Sequence, residues 1–196
     1  MASRARPAFS PVIAADRIMT LAEFEYASAT VESRAELVNG WMLVHDAPKP
    51  RHSMVAMAFA EAIILYWHRR FPGGERPGRL LVEFGVHVQR NPDTLRVADV
   101  AYVVGPPVHF DPDEFPQVAP ELVLEVVSPS NRAGALRQKI GQWQRGGCQQ
   151  VWVAHPRKRT LTLHIGPTIA VLGEHDVLEG SPFFPGLNLS VDSLFR

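Results

Sequence analysis

"PELVLEVVSPSN", residues 120–131, reads as a buried strand running into a turn, yet its apolar run holds Glu125 at the centre. A carboxylate among Leu122, Val123, Leu124, Val126 and Val127 forfeits its hydration, so it must be paired, protonated or bound to a cation. The run "RVADVAYVV", residues 96–104, repeats the pattern with one acid, Asp99. If the two strands are neighbours, strict alternation puts Val97, Asp99 and Ala101 on one face of the first. It puts Val123, Glu125 and Val127 on one face of the second, so the acids converge. Converging carboxylates repel unless a cation lies between them. Mg2+ or Mn2+ takes such hard oxygen ligands, and the Val126 carbonyl with waters would complete the shell. Spacing alone leaves a second reading open, in which each acid lies at a strand edge and is solvated or salt-bridged.

Working outward, Thr20 followed by Glu23 is a capping box that opens a short helix, "LAEFEYAS". "AELVNGWMLVHD" gives two short strands about an Asn39-Gly40 turn. Residues 53–70 form a helix that is apolar all round between 54 and 67 except at Glu61, which predicts burial on most sides or a homodimer contact. "RLLVEFGVHVQ", "RVADVAYVV" and "PELVLEVV" are strands rich in β-branched residues. The loop 105–120 contains five prolines, which excludes helix and central strand there. The helix "RAGALRQKIGQWQRGG" follows, with Ser130 or Asn131 as its N-cap and Gly146-Gly147 as its stop. "QQVWVAHP", "RTLTLHIG" and "TIAVLGE" are further strands, the last two a hairpin about Gly166-Pro167. The fold class is therefore mixed α/β (α+β), a central sheet flanked by helices. It forms one domain over 19–196 behind a loose tail at 1–18.

At 100° per residue, Leu136, Ile140 and Trp143 form the buried stripe of the helix after "SPSN", with Lys139 at its rim, about 40° from Trp143. Lys139 should lean toward the sheet. Arg132 falls about 20° from Lys139 on the same projection, giving an edge of two positive groups suited to a phosphate.

A chain of 196 residues supports one full core, and 46% apolar with 20% charged residues is ordinary globular composition. The 20 basic and 20 acidic residues cancel, so any nucleic-acid contact must come from a local patch. The single cysteine, Cys148, excludes an internal disulfide and a Cys-rich zinc site, and fits a reducing compartment. It is expected to be packed, not nucleophilic. No apolar run approaches the roughly 18 residues of a membrane span, and no secretory core follows Arg4 and Arg6, so the expected location is the cytoplasm. There is no GxSxG elbow, GxxxxGK(S/T) loop, GxGxxG turn or HExxH pair, which removes serine-hydrolase, P-loop, dinucleotide and zincin readings.

Taken in order, "ELVNG", "APKPRHSMV", "ADVAYV", "PELVLEVVSPSNR", "KIGQWQRGGCQQVWVAHP" and "PGLNLSVDSLF" resemble the Uma-two family of restriction-endonuclease-like proteins in the PD-(D/E)XK nuclease superfamily. The resemblance spans roughly residues 19–196. It implies a restriction-endonuclease-like mixed sheet and metal-dependent cleavage of DNA phosphodiester bonds. Carried over by position, Asp99 and Glu125 are the metal-binding acids. The superfamily's lysine two residues after the glutamate is Val127 here. In the family pattern a lysine on the following helix replaces it, and Lys139 matches as the residue that orients or activates the attacking water.

By the same resemblance Glu36 supports the metal shell through water. His52 matches a family histidine at a helix start, where free N–H groups favour anions. Arg132 is the further supporting cation. Two positions depart from the pattern: Ala98 stands where a proline is expected, and His155 where the family has an aspartate. His155 and the neutral net charge keep a second hypothesis in view, a non-catalytic nucleic-acid-binding or protein-interaction module on the same fold. Two sites in a homodimer would suit double-strand cutting.

Overall fold

The computed structural model describes residues 12–13, 17–105, 111, 113–129 and 132–196. A two-residue strand, β1 (Val12–Ile13), precedes α1 (Leu21–Ser28), where Thr20 and Glu23 make both hydrogen bonds of the capping box. The hairpin of β2 (Ala35–Val38) and β3 (Trp41–Val44) turns at Asn39 and Gly40, both with positive φ as a type I′ turn requires. Helix α2 (Pro50–Arg70) starts at Pro50 and not Ser53, because proline suits the first helical position, where its missing N–H has no intrahelical partner to lose.

Strands β4 (Gly78–Gln89) and β5 (Thr94–Val104) pair antiparallel, and β6 (Leu122–Val126) joins β5. Helix α3 (Ala133–Arg145) then crosses over to β7 (Gln150–His155), which lies parallel to β6, a connection that requires such a crossover. Strands β8 (Thr160–Ile165) and β9 (Thr168–Leu172) extend the sheet as a hairpin.

A separate pair, β10 (Val177–Glu179) and β11 (Asn188–Ser190), and a closing 3-10 helix at Val191–Phe195 were not anticipated from sequence. Each is too short to carry a periodic pattern. The N-cap of α3 is Arg132, which makes no side-chain cap bond; the expected caps Ser130 and Asn131 lie outside the described residues. The described part of the proline-rich loop holds no helix or strand, and most of the tail at 1–18 lies outside the described residues. No helix among the described residues is long and apolar enough to cross a membrane.

The main sheet runs β1-β3-β2-β5-β6-β7-β8-β9, with β4 also on β5. Because β4 occupies one edge of β5 along its length, β2 and β6 share the other. There β2 pairs at Leu95 and β6 at Val100 to Tyr102. Residues 96–99 of β5 therefore face a fork between the ends of β2 and β6. One face of the sheet packs α2 through Phe59, Ile63, Tyr66 and Trp67 against Tyr102, Leu122, Leu124 and Trp152. The other packs Ile140 and Trp143 of α3 against Ala98, Ala101, Val123 and Val153.

Ala98 and Ala101 both belong to the α3 cluster, although strand residues three apart should face opposite ways. Val97 packs instead with Phe24, Leu37 and Leu95. The expectation that Val97, Asp99 and Ala101 share one face is thus corrected: alternation slips by one at Asp99. Strand β4 breaks step at the same level, because Leu81 and Phe84, also three apart, both pack on this cluster. Between the pairs Val82–Val100 and Phe84–Ala98 the ladder skips a position, and there Glu83 has φ 49°, a left-handed conformation that costs a non-glycine residue about 1–2 kcal/mol.

Helix α2 is also less enclosed than its composition suggested. Met54, Met57 and Leu65 are exposed, while Val55, Phe59, Ile63 and Trp67 are buried. Phe59 meets Trp152 edge-to-face with ring centroids 5.6 Å apart, fixing α2 and its His52 on the sheet. Phe59→Ala should lower the unfolding free energy by about 3–5 kcal/mol in chemical denaturation. A loss below about 1 kcal/mol would show that this contact does not anchor the helix.

Candidate active site

A cleft of about 510 Å³ opens at the fork, and Glu36, His52, Asp99, Glu125, Arg132 and Lys139 all line it. Glu36, Asp99 and Glu125 are exposed by only 1%, 3% and 5%, so their charges must be matched inside the protein.

Glu125 points from β6 toward α3. Its Oε2 accepts a hydrogen bond from Lys139 Nζ at 2.7 Å and its Oε1 one from Trp143 Nε1 at 2.8 Å. Lys139 and Trp143 are four residues apart on α3, hence on one stripe. The acid in the apolar run is therefore compensated by two side chains of the crossover helix. Burial raises its carboxyl, Lys139 opposes, and the charges of Asp99 and Glu36 add to the rise, leaving it pushed up to about 7.

Lys139 leans into the sheet, as its helical position predicted, and is buried there. Its ammonium has three donors and three acceptors: Glu125 Oε2, the Val97 carbonyl at 2.8 Å and Glu36 Oε1 at 3.1 Å. Arg132, by contrast, is exposed at the helix start. The two cations line one cleft at different depths.

Asp99 sits in the fork itself. Its Oδ1 accepts from Arg34 Nη1 at 2.8 Å; its Oδ2 accepts from the Val126 N–H at 2.7 Å and lies 3.1 Å from His52 Nε2. Burial alone would raise this carboxyl. The His52 hydrogen bond and the charges of Lys139 and Arg34 outweigh it and hold Asp99 well below the usual carboxylate range.

Glu36, on β2, accepts from the Val97 N–H at 2.9 Å and from Arg96 Nη1 at 2.7 Å, with His45 Nε2 at 3.1 Å. Against the penalty of burial, Lys139 and Arg96 hold it far below its ordinary value. At the fork, then, Glu36 takes the N–H of Val97 and Lys139 its carbonyl, so backbone groups facing the fork are satisfied by the site's own side chains.

Sequence reasoning missed Arg34, His45, Arg96 and Gln142. Arg96 donates through Nε to Gln142 Oε1 at 2.8 Å, tying β5 to α3 beside Lys139. The same signal that exposed Asp99, a charge inside an apolar run, also marks Arg96. Arg34, in "ESRAEL", reads as an ordinary loop charge. Cys148 is buried, its thiol pushed up to about 12 chiefly by burial, as a packed cysteine should be. His155 is not among the residues lining the cleft.

No group of three or more His, Cys, Asp or Glu placed to hold a metal occurs among the described residues. A Mg2+ or Mn2+ ion needs fewer protein ligands, often one or two carboxylates with waters and substrate oxygens. A carboxylate offers about four lone-pair positions, of which Asp99 uses three and Glu125 two, so the donor set fits a hard cation.

Arg96→Met removes one partner of a buried pair and should cost about 3–5 kcal/mol of stability. Glu36, with its lowered folded pKa, stabilises the fold above its unfolded value, and that contribution disappears as pH falls through the folded one. Glu36→Gln should therefore flatten the acid limb of a stability-versus-pH curve. An unchanged acid limb would contradict the assignment.

Residues 21–192 match the Uma2 family, described as "Putative restriction endonuclease". The fold is shared with the crystal structure of a "putative nuclease" from Anabaena variabilis at a TM-score of 0.74 and 18% identity, covering 90% of this chain and 97% of that one. At that identity the likeness speaks for the fold, which is restriction-endonuclease-like as the motifs implied. No curated protein is similar to the chain in sequence. The family match spans nearly the whole length, and this protein belongs to the Uma2 family.

Proposed function

We propose that the chain hydrolyses DNA phosphodiester bonds as a divalent-cation-dependent endonuclease. The observation that carries this reading is the meeting of Asp99, Glu125 and Lys139 at the floor of one open cleft in a chain of this family. Asp99 and Glu125 would hold Mg2+ or Mn2+, which when bound polarises a phosphoryl oxygen and stabilises the charge that develops on it.

The chain's own residues supply the order. Trp143 and Lys139 fix the two oxygens of Glu125, while His52 and the Val126 N–H fix Oδ2 of Asp99. Glu36 shares Lys139 with Glu125, so the ammonium can turn one donor to an attacking water beside Glu125 and remain held. Arg132, exposed at the mouth, is placed to meet the DNA backbone. The open apolar face of α2, with Met54, Met57 and Leu65, suits a second copy, giving two sites per assembly.

That each of the three acids already has a cation partner inside the protein favours a rival reading, a non-catalytic nucleic-acid-binding or protein-interaction module. Incubation with supercoiled plasmid and Mn2+ separates the two. Wild type should nick the plasmid, and folded Asp99→Ala or Glu125→Ala should lose at least about 100-fold of that rate, with Lys139→Met losing a similar factor. Wild-type nicking by either folded acid variant would remove these residues from the chemistry. DNA retention without nicking by wild type would support the module instead.

A further inference from the structure

We infer that Arg34 is the resident counter-ion of Asp99, which a divalent cation must displace, and that Glu83 holds the arginine once it leaves. The inference rests on the reading of Asp99 as a cation ligand. The Val126 N–H and His52 both address Oδ2, so Oδ1 is the oxygen with more room for a cation, and Arg34 Nη1 lies 2.8 Å from it. The same nitrogen donates to Glu83 at 2.9 and 3.2 Å.

The three side chains form a path from interior to solvent, exposed by 2% at Asp99, 24% at Arg34 and 51% at Glu83. Arg34 can therefore move outward without losing its last partner. Glu83 also has a left-handed backbone, at the level where the β4–β5 ladder skips a pair beside Asp99. Backbone strain of this kind beside a site marks a functional constraint. Here it accompanies a second acid that shares the arginine with the first.

Two substitutions should act in opposite directions. Arg34→Met removes the competitor and should tighten Mn2+ binding about tenfold, the size of one charge-assisted hydrogen bond. Glu83→Gln removes the outer charge, leaves the arginine on Asp99 and should weaken binding. An arginine that only supports the fold would give no such opposition. The test is calorimetric titration of Mn2+ into full-length wild type and both variants without DNA, each checked for folding by circular dichroism.

Equal affinities in all three proteins overturn the inference and leave the cation reading of Asp99 standing. If Arg34→Met does not fold, Glu83→Gln carries the test, and binding as tight as wild type or tighter overturns it. No binding by folded wild type and folded Arg34→Met overturns both the cation reading and the inference.

Discussion

Where β2 and β6 share one edge of β5, the sheet divides, and residues 96–99 lie between the two strand ends. Backbone groups there need partners because burial without them is costly. Glu36 takes the Val97 N–H, Lys139 takes the Val97 carbonyl, and Asp99 accepts from the Val126 N–H across the gap. The charged groups of the cleft are thus also the groups that close the sheet. The same side chains therefore serve both the sheet and the site.

Charge balance follows from the same constraint. Glu36, Asp99 and Glu125 face Arg34, Arg96 and Lys139 in a cluster with little access to water. The balance is not evenly distributed. Glu36 is held ionised by Lys139 and Arg96, and Asp99 by the His52 hydrogen bond with Lys139 and Arg34, against burial in both cases, while Glu125, with Lys139 shared and two acids nearby, is pushed up to about 7. The outer rim carries the adjustable part: Arg34 and Glu83 are partly exposed, and Arg132 is open to solvent.

Much of this was legible in the sequence, for identifiable reasons. Glu125 and Asp99 stood out because a charge inside an apolar strand has to be explained, and Lys139 was placed by its angle from Trp143 on a helix with a clear stripe. The capping box at Thr20 and the Asn39-Gly40 turn were local chemistry and appear in the fold. The slip at Asp99 was not legible, because it involves two strands at once, with Leu81 and Phe84 of β4 out of step at the same level as Ala98 and Ala101 of β5. Arg34 was missed for the same reason: its contact with Asp99 spans 65 residues. The fork itself arises from which strands pair, and no periodicity in β2, β5 or β6 states that.

If Asp99 and Glu125 together form a cation site at the fork, as proposed, an ion must be visible between them. The most direct measurement is anomalous diffraction at the manganese edge from crystals grown with Mn2+. The expected result is a peak about 2.1 Å from a carboxylate oxygen of each acid, Oδ1 in the case of Asp99, with Arg34 turned to Glu83. A well-ordered site with no peak between the two acids, and Lys139 and Arg34 still on their carboxylates, would contradict it.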